Sequence, residues 1–170
     1  VEVATRPRCI EAARHAAQRA LERLPYQRTV DALLAHADVD LDVVRAGLIP
    51  VLLRLRERRE SLVFPARPVE RILRREAAAA RRTLGLEARL GDAGHTPPQR
   101  LLRRCLGEAC QARLTRTFQL LALRYDHRDI MGAWLRWHGP DPARRADAQE
   151  FLENLLSPRH RALLLGLLRQ

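Results

Sequence analysis

The chain contains no lysine, so arginine supplies all 31 of its Lys and Arg residues. Asparagine occurs once, at Asn154, and methionine once, at Met131. This bias is typical of a GC-rich genome, which favours codons for Arg, Ala, Gly and Pro. Part of the formal net charge of +11 is therefore expected to reflect codon usage and not selection for an anionic partner. Guanidinium groups still bind phosphate and carboxylate groups well, so the charge remains usable for recognition.

Aromatic residues make up 4% of the 170 residues, so alanine and leucine must build most of the core. The longest apolar run, 163–168, is far shorter than the roughly 18–20 residues that cross a bilayer. The first residue is Val1 and no secretory signal is visible, which favours an excised domain or a processed fragment of a longer protein. We expect a cytoplasmic location, with any membrane association supplied by flanking regions.

Residue clusters that support catalysis are also scarce. The three cysteines (Cys9, Cys105 and Cys110) do not suggest a disulfide framework, and their Ala/Leu surroundings predict burial as small apolar groups. No HxxxH or CxxC pair occurs, and no glycine-rich phosphate loop follows a strand pattern. Asp126 and Asp129, beside His127, are better explained as a helix cap and a first-turn acid. The sequence therefore predicts no enzyme activity, no catalytic residue, no cofactor and no metal site.

The spacing of apolar residues predicts an all-α fold of about eight helices. Prolines and capping residues mark the helix ends: Pro25 ends the first helix, and Thr96, Asp126 and Asp141 precede later ones. Pro50 lies inside the third helix and is expected to bend it. The predicted helices cover about 8–24, 27–37, 41–59, 68–90, 98–123, 127–138, 142–156 and 159–168.

Two segments of the sequence, each predicted to form two helices joined by a short turn, are similar to each other. In the first, Asp38 to Asp40 interrupts two amphipathic helices, and Arg45 follows the turn. In the second, Gly139 to Pro142 interrupts the pattern, and Arg145 follows. A hairpin of two amphipathic helices cannot bury its apolar face alone, so such hairpins stack on copies of themselves. Stacks of this kind present surfaces more often than they catalyse reactions.

The residues of both turns resemble the HEAT-repeat family. The first turn has the pattern of aspartate, β-branched apolar residue, arginine, small residue and leucine at 40–48. The C-terminal half, from Phe118 through Asp141 to the segment 150–156, resembles a HEAT-repeat region found in bacteria beside nucleotide-transporter-like and cyclic-nucleotide-binding domains. The resemblance implies a right-handed α-solenoid of HEAT-like hairpins. It also implies a structural role in the repeat turns for Asp40, Arg45, Asp141 and Arg145.

Arginines on the predicted helix 68–90 and just before it support a different hypothesis. They fall opposite its apolar stripe, where a solenoid could neutralise DNA phosphates in the manner of HEAT-like alkylpurine DNA glycosylases. The alternative is an ordinary solvated face with Glu70 and Arg74 in helix-spaced pairing. The candidate anion or nucleic-acid contacts are Arg67, Arg71, Arg74, Arg75, Arg81, Arg82 and Arg89.

Two further features leave alternatives open. Trp134 and Trp137 share a helix face, where they either belong to the core or line a cleft for a flipped base. The last helix, 159–168, either caps the stack or rests on anionic lipid. Taken together, the sequence predicts one HEAT-like domain over residues 1–170. Its expected function is a non-enzymatic scaffold or regulatory module that contacts a protein partner or flanking domains of its own chain, with duplex-DNA binding as the alternative.

Overall fold

A computed structural model describes residues 7–39, 41–90 and 96–168, with side chains from His15 onward. Eight α-helices and no strand occur in this part of the chain, which confirms the predicted all-α class. The predicted helix boundaries lie within two residues of the observed ones. The helices are α1 Pro7–Glu22, α2 Gln27–Ala37, α3 Asp42–Arg58, α4 Ala66–Leu90, α5 Pro97–Ala122, α6 His127–His138, α7 Pro142–Leu155 and α8 Pro158–Leu168.

Aspartate caps start two of these helices as predicted. The Asp126 carboxylate accepts hydrogen bonds from the backbone N–H groups of Arg128 (2.9 Å) and Asp129 (3.1 Å). These bonds, the one from Asp129 above all, hold the pKa of Asp126 below its ordinary value. The Asp141 carboxylate accepts from the N–H of Ala143 at 3.0 Å. Both side chains thus satisfy donors that the first helical turn leaves unpaired.

The start of α3 differs from the prediction. Its N-cap residue is Leu41, which makes no side-chain capping bond, and the helix begins at Asp42. Asp40, to which the resemblance assigns a structural role in this turn, lies outside the described residues. Pro50 lies within α3 as expected, where it removes the hydrogen bond that its missing N–H would donate to residue 46.

The chain divides into two compact units, Val1–Glu70 and Arg71–Gln170. In the first unit α3 packs against both α1 and α2, and in the second α6 packs against both α5 and α7. Each unit buries its own apolar side chains, such as Leu34 and Leu52 in the first and Leu121 and Leu164 in the second. The single domain over 1–170 and the solenoid arrangement stay predictions.

The apolar residues of α5 are not all buried. Cys110 and Leu114, in the second half of the helix, are buried, but Leu102 in its first half is 47% exposed. Cys105 is also exposed, so the prediction that it is buried is wrong. Burial raises the pKa of the Cys110 thiol, which is consistent with a packing role for this side chain. The apolar residues of α5 therefore begin nearer to the start of the helix than the contacts that bury them.

A buried ion pair joins α4 to α5. Arg116 Nε donates to Glu76 Oε2 at 2.8 Å, and both side chains are almost fully buried. Charges removed from water in this way cost several kcal/mol each unless they are paired and hydrogen-bonded. The pair therefore fixes which turn of α4 lies against which turn of α5.

We expect Arg116→Met to destabilise the protein by about 3–5 kcal/mol, because it leaves the Glu76 carboxylate buried without its guanidinium partner. Urea unfolding followed by circular dichroism measures the loss. The double variant Glu76→Met/Arg116→Met should recover much of it. Arg104→Met is the matched control, since Arg104 pairs with Glu108 on the exposed face of α5, and it should leave the stability nearly unchanged. Equal losses for Arg116→Met and Arg104→Met would contradict this assignment.

Candidate functional site

The turns between α2 and α3 and between α6 and α7 contain the same arginine contact. Arg45 Nη1 donates to the carbonyl oxygen of Val39 at 2.9 Å. Arg145 Nη2 donates to the carbonyl oxygen of Gly139 at 3.3 Å. In each case the guanidinium belongs to the second helix and the carbonyl lies six residues earlier, in the turn that follows the first helix. The arginine therefore connects the two helices of its hairpin across the turn.

The helices on either side of these turns correspond at an offset of 100 residues. Helix α2 begins at residue 27 and α6 at 127, while α3 begins at 42 and α7 at 142. Buried residues match at the same offset: Val30 with Ile130 on the first helix, and Leu52 with Leu152 on the second. Each unit thus contains one copy of an arginine-linked hairpin. The sequence indicated the similar turns, but the six-residue contact becomes visible only in the structure.

The two copies differ in the burial of their arginines. Arg45 is 4% exposed and lies 3.8 Å from the Asp42 carboxylate. Arg145 is exposed, and the Asp141 carboxylate beside it pairs with Arg144 at 3.4 Å. Arg144 itself is exposed on the surface of α7. The arginine of the first turn is therefore shielded from solvent, whereas the arginine of the second turn is accessible to it.

The arginines of α4 all lie on one face, as predicted. All seven are exposed, whereas the opposite face buries Ile72, Leu73 and Ala80. At 1.5 Å per residue the stripe from Arg67 to Arg89 extends over about 33 Å. Arg81 also donates to the carbonyl oxygen of Leu163 at 3.3 Å. The seven are Arg67, Arg71, Arg74, Arg75, Arg81, Arg82 and Arg89.

The glutamates of α4 are less exposed than its arginines. Glu76 is fully buried and pairs with Arg116. Glu70 and Glu87 are half-buried. The exposed stripe is therefore rich in positively charged groups, the kind of group that attracts polyanions.

An open apolar groove lies between α1, α2 and α3 in the first unit, with a volume of about 580 Å³. Leu24 lines the groove and is 46% exposed. Arg28 and His36 contribute basic groups to it, and none of the described residues that line it is acidic. Its apolar lining consists of Leu21, Leu24, Ala32, Leu33, Val44 and Leu48. Sequence analysis did not identify this groove, because it depends on how the three helices pack.

The tryptophan pair belongs to an aromatic cluster in the second unit. Trp134 is buried, and its ring centre lies 4.6 Å from that of Phe118. The rings of Trp137 and His138 stack on Trp134 at 5.7 and 5.1 Å. Aromatic neighbours thus occupy the space around the Trp134 ring. The core interpretation of Trp134 is therefore confirmed, and Trp137 is half-buried beside it.

Comparison with protein-family models, with curated proteins and with solved structures finds no match for this chain. Within the described residues, no three His, Cys, Asp or Glu side chains are placed to hold a metal ion. In the same residues no helix combines the length and the apolar character needed to cross a membrane. The functional hypotheses therefore depend on the surfaces described above.

We expect Arg45→Ala to destabilise the protein by about 1–3 kcal/mol and Arg145→Ala by about 0.5 kcal/mol or less. The reason is that Arg45 is buried, so its loss removes a hydrogen bond to the Val39 carbonyl and leaves the space of its side chain unfilled, whereas water replaces Arg145. Urea unfolding measures both values. Amide hydrogen exchange in α2 and α3 shows whether the first hairpin opens in Arg45→Ala. Losses of similar size in the two variants would contradict this prediction, because they would show that burial does not determine the stability that the arginine contact provides.

Proposed function

We propose that the chain is a non-enzymatic module of HEAT-like helical hairpins that binds a protein partner or a neighbouring segment of its own protein. The recurrence of the arginine-linked hairpin in both units carries this proposal. One repeated supersecondary unit, with the same turn contact and matching buried positions, is what repeat architectures are made of. Repeats of this type commonly serve as extended binding surfaces.

The apolar groove between α1, α2 and α3 is the contact surface that we assign to this function. Exposed apolar area costs about 25 cal/mol per Å², and clustered exposed apolar groups mark interaction sites more often than isolated ones do. Val43 and Leu41, near the start of α3, are also more than half exposed. A groove between helices suits an amphipathic helix, which inserts apolar side chains at positions i, i+3, i+4 and i+7.

The charge of the groove indicates which side chains the partner helix carries beside its apolar face. Arg28 is exposed on the same face of α2 as Ala32 and His36. Asp31, the acidic residue of α2, accepts a hydrogen bond from Gln27, and neither Asp31 nor Gln27 is among the described residues that line the groove. Complementary potentials favour a partner with acidic groups at this rim. We therefore assign the groove to an amphipathic helix with glutamate or aspartate beside its apolar stripe.

A designed peptide tests the assignment. An 18-residue helical peptide with leucines on one face and glutamates beside them should bind with a dissociation constant on the order of 10 μM, measured by fluorescence anisotropy. Leu24→Glu should weaken binding about tenfold, because it puts a charge into the apolar contact. Leu135→Glu is the matched control in α6, since Leu135 is also exposed, and it should bind like the parent protein.

A second peptide with the same composition but a scrambled order of residues distinguishes binding in the groove from charge attraction alone. Equal binding of the two peptides would contradict the proposed partner chemistry. Equal affinity of Leu24→Glu and Leu135→Glu for the patterned peptide would place the contact elsewhere on the surface.

Duplex-DNA binding is a second candidate, which the arginine face of α4 favours. Phosphate contacts from arginines make binding depend on salt, with a slope of about −0.9 per neutralised phosphate. Specific DNA-binding proteins retain nanomolar affinity at about 0.15 M salt, whereas a generic polycation binds weakly and loses DNA by about 0.2 M. The spread of seven arginines along one helix suits a backbone contact more than readout of base edges.

A salt titration with a 20-base-pair duplex tests this candidate. If α4 contacts the backbone, Arg82→Gln and Arg89→Gln should each reduce the magnitude of the slope by about 0.9. Arg128→Gln, an exposed arginine of α6, is the matched control for the loss of one charge and should change the slope less. Binding that disappears by about 0.2 M salt with equal effects of all three variants would exclude a DNA-binding face on α4.

A further inference from the structure

A polar cavity lies between α1 and α3 in the first unit, away from the apolar lining of the groove. Its volume is about 410 Å³, which is within the range of small-ligand sites. Three basic side chains line it, and none of the described residues that line it is acidic. The lining residues are His15, Gln18, Arg19, Ala46, Pro50 and Arg54.

Gln18 orients the imidazole of His15. The Gln18 Nε2 group donates to the carbonyl oxygen of Gly47 at 2.8 Å, so its Oε1 is the end that can accept a hydrogen bond. The Nδ1 atom of His15 lies 3.2 Å from that oxygen and must therefore donate to it. This bond sets the tautomer of His15 and leaves Nε2 as the ring nitrogen that meets a ligand.

A buried carboxylate holds Arg54 in place. Glu22 is 5% exposed, and its Oε1 accepts a hydrogen bond from Arg54 Nη1. Arg58 also lies close, with its Nη2 atom 4.0 Å from Glu22 Oε2. One carboxylate thus faces two guanidinium groups, and Arg19 adds a third positive charge at the cavity. Because positive charge is in excess, the cavity favours an anion.

Pro50 changes the backbone hydrogen bonding beside the same cavity. Its nitrogen carries no hydrogen, so the Ala46 carbonyl loses the i to i−4 hydrogen bond that an α-helix otherwise provides. Both residues line the cavity. A ligand with a hydroxyl or amine donor beside its anionic group would suit this carbonyl, because each polar group would then have a partner.

We propose that this cavity binds a small phosphate monoester that also carries a hydroxyl group. The guanidinium groups of Arg19 and Arg54 hold the phosphate oxygens, since arginine forms charge-assisted hydrogen bonds with phosphate. The Nε2 atom of His15 and the carbonyl of Ala46 contact the rest of the ligand. This site is separate from the surfaces assigned to a partner helix and to DNA, so its test does not depend on theirs.

Nuclear magnetic resonance titrations of the full chain at constant ionic strength test the proposal. Inorganic phosphate should produce saturable shifts of the Gln18 side-chain and Gly47 backbone amides, with a dissociation constant on the order of 1 mM. Glycerol phosphate should bind at least about threefold more tightly, because its hydroxyl groups reach the Ala46 carbonyl. Arg19→Gln should weaken both ligands about tenfold, whereas Arg128→Gln, the matched control, should leave both unchanged.

Shifts that do not saturate, or equal losses in Arg19→Gln and Arg128→Gln, would overturn the site. Acetate is titrated in parallel, and if it binds as tightly as phosphate, the assignment to phosphate is wrong. Equal affinities for inorganic phosphate and glycerol phosphate would overturn the role of the Ala46 carbonyl. Arg19 is exposed, so its substitution is expected to leave the fold intact.

Discussion

The rest of the structure depends on the pairing of two helices across a short turn, and in each unit a guanidinium group links the two helices of the pair. A turn of three or four residues brings the helix ends together, and its carbonyl oxygens lie outside the regular hydrogen bonding of the helices. Arg45 and Arg145 each donate from the second helix to one carbonyl oxygen of the turn. Once the turn is fixed, the apolar faces of both helices point to the same side, and a third helix must cover them. In the first unit α1 packs on α3, and in the second α5 packs on α6.

The same constraint explains why arginine has two different roles in this chain. Some arginines are structural: Arg45 and Arg116 are buried and bind a carbonyl or a carboxylate of their own unit. Others, such as those along α4, are exposed. Composition makes every Lys or Arg position an arginine but does not determine where these arginines lie. Their positions depend on the available hydrogen-bond partners. A guanidinium group can be buried where protein acceptors replace the water molecules that it loses.

Helix positions could be predicted well because local signals determine them. Pro25, Asp126 and Asp141 act within one helical turn of their own position, so the sequence contains the necessary information. Contacts between distant segments could not be predicted in the same way. The exposure of Cys105, the pairing of Glu76 with Arg116 across 40 residues and the bond between Gln18 and Gly47 across 29 all depend on packing. The candidate site was predicted where it follows from helix periodicity, as on α4, and missed where two or three helices form it.

Periodicity alone does not explain the charge of the α4 face. Any amphipathic helix in an arginine-rich protein presents arginines opposite its buried side, so a stripe of them is weak support for a function. An ordinary solvated face also carries acids at helix spacing, as Arg104 and Glu108 do on α5. On α4, which the structure describes throughout, one glutamate is buried with Arg116 and the other two are half-buried at the side. Composition alone does not require this difference in burial between the acidic and the basic residues of one helix. The proposal of an anionic ligand for α4 therefore depends on that difference and not on the number of its arginines.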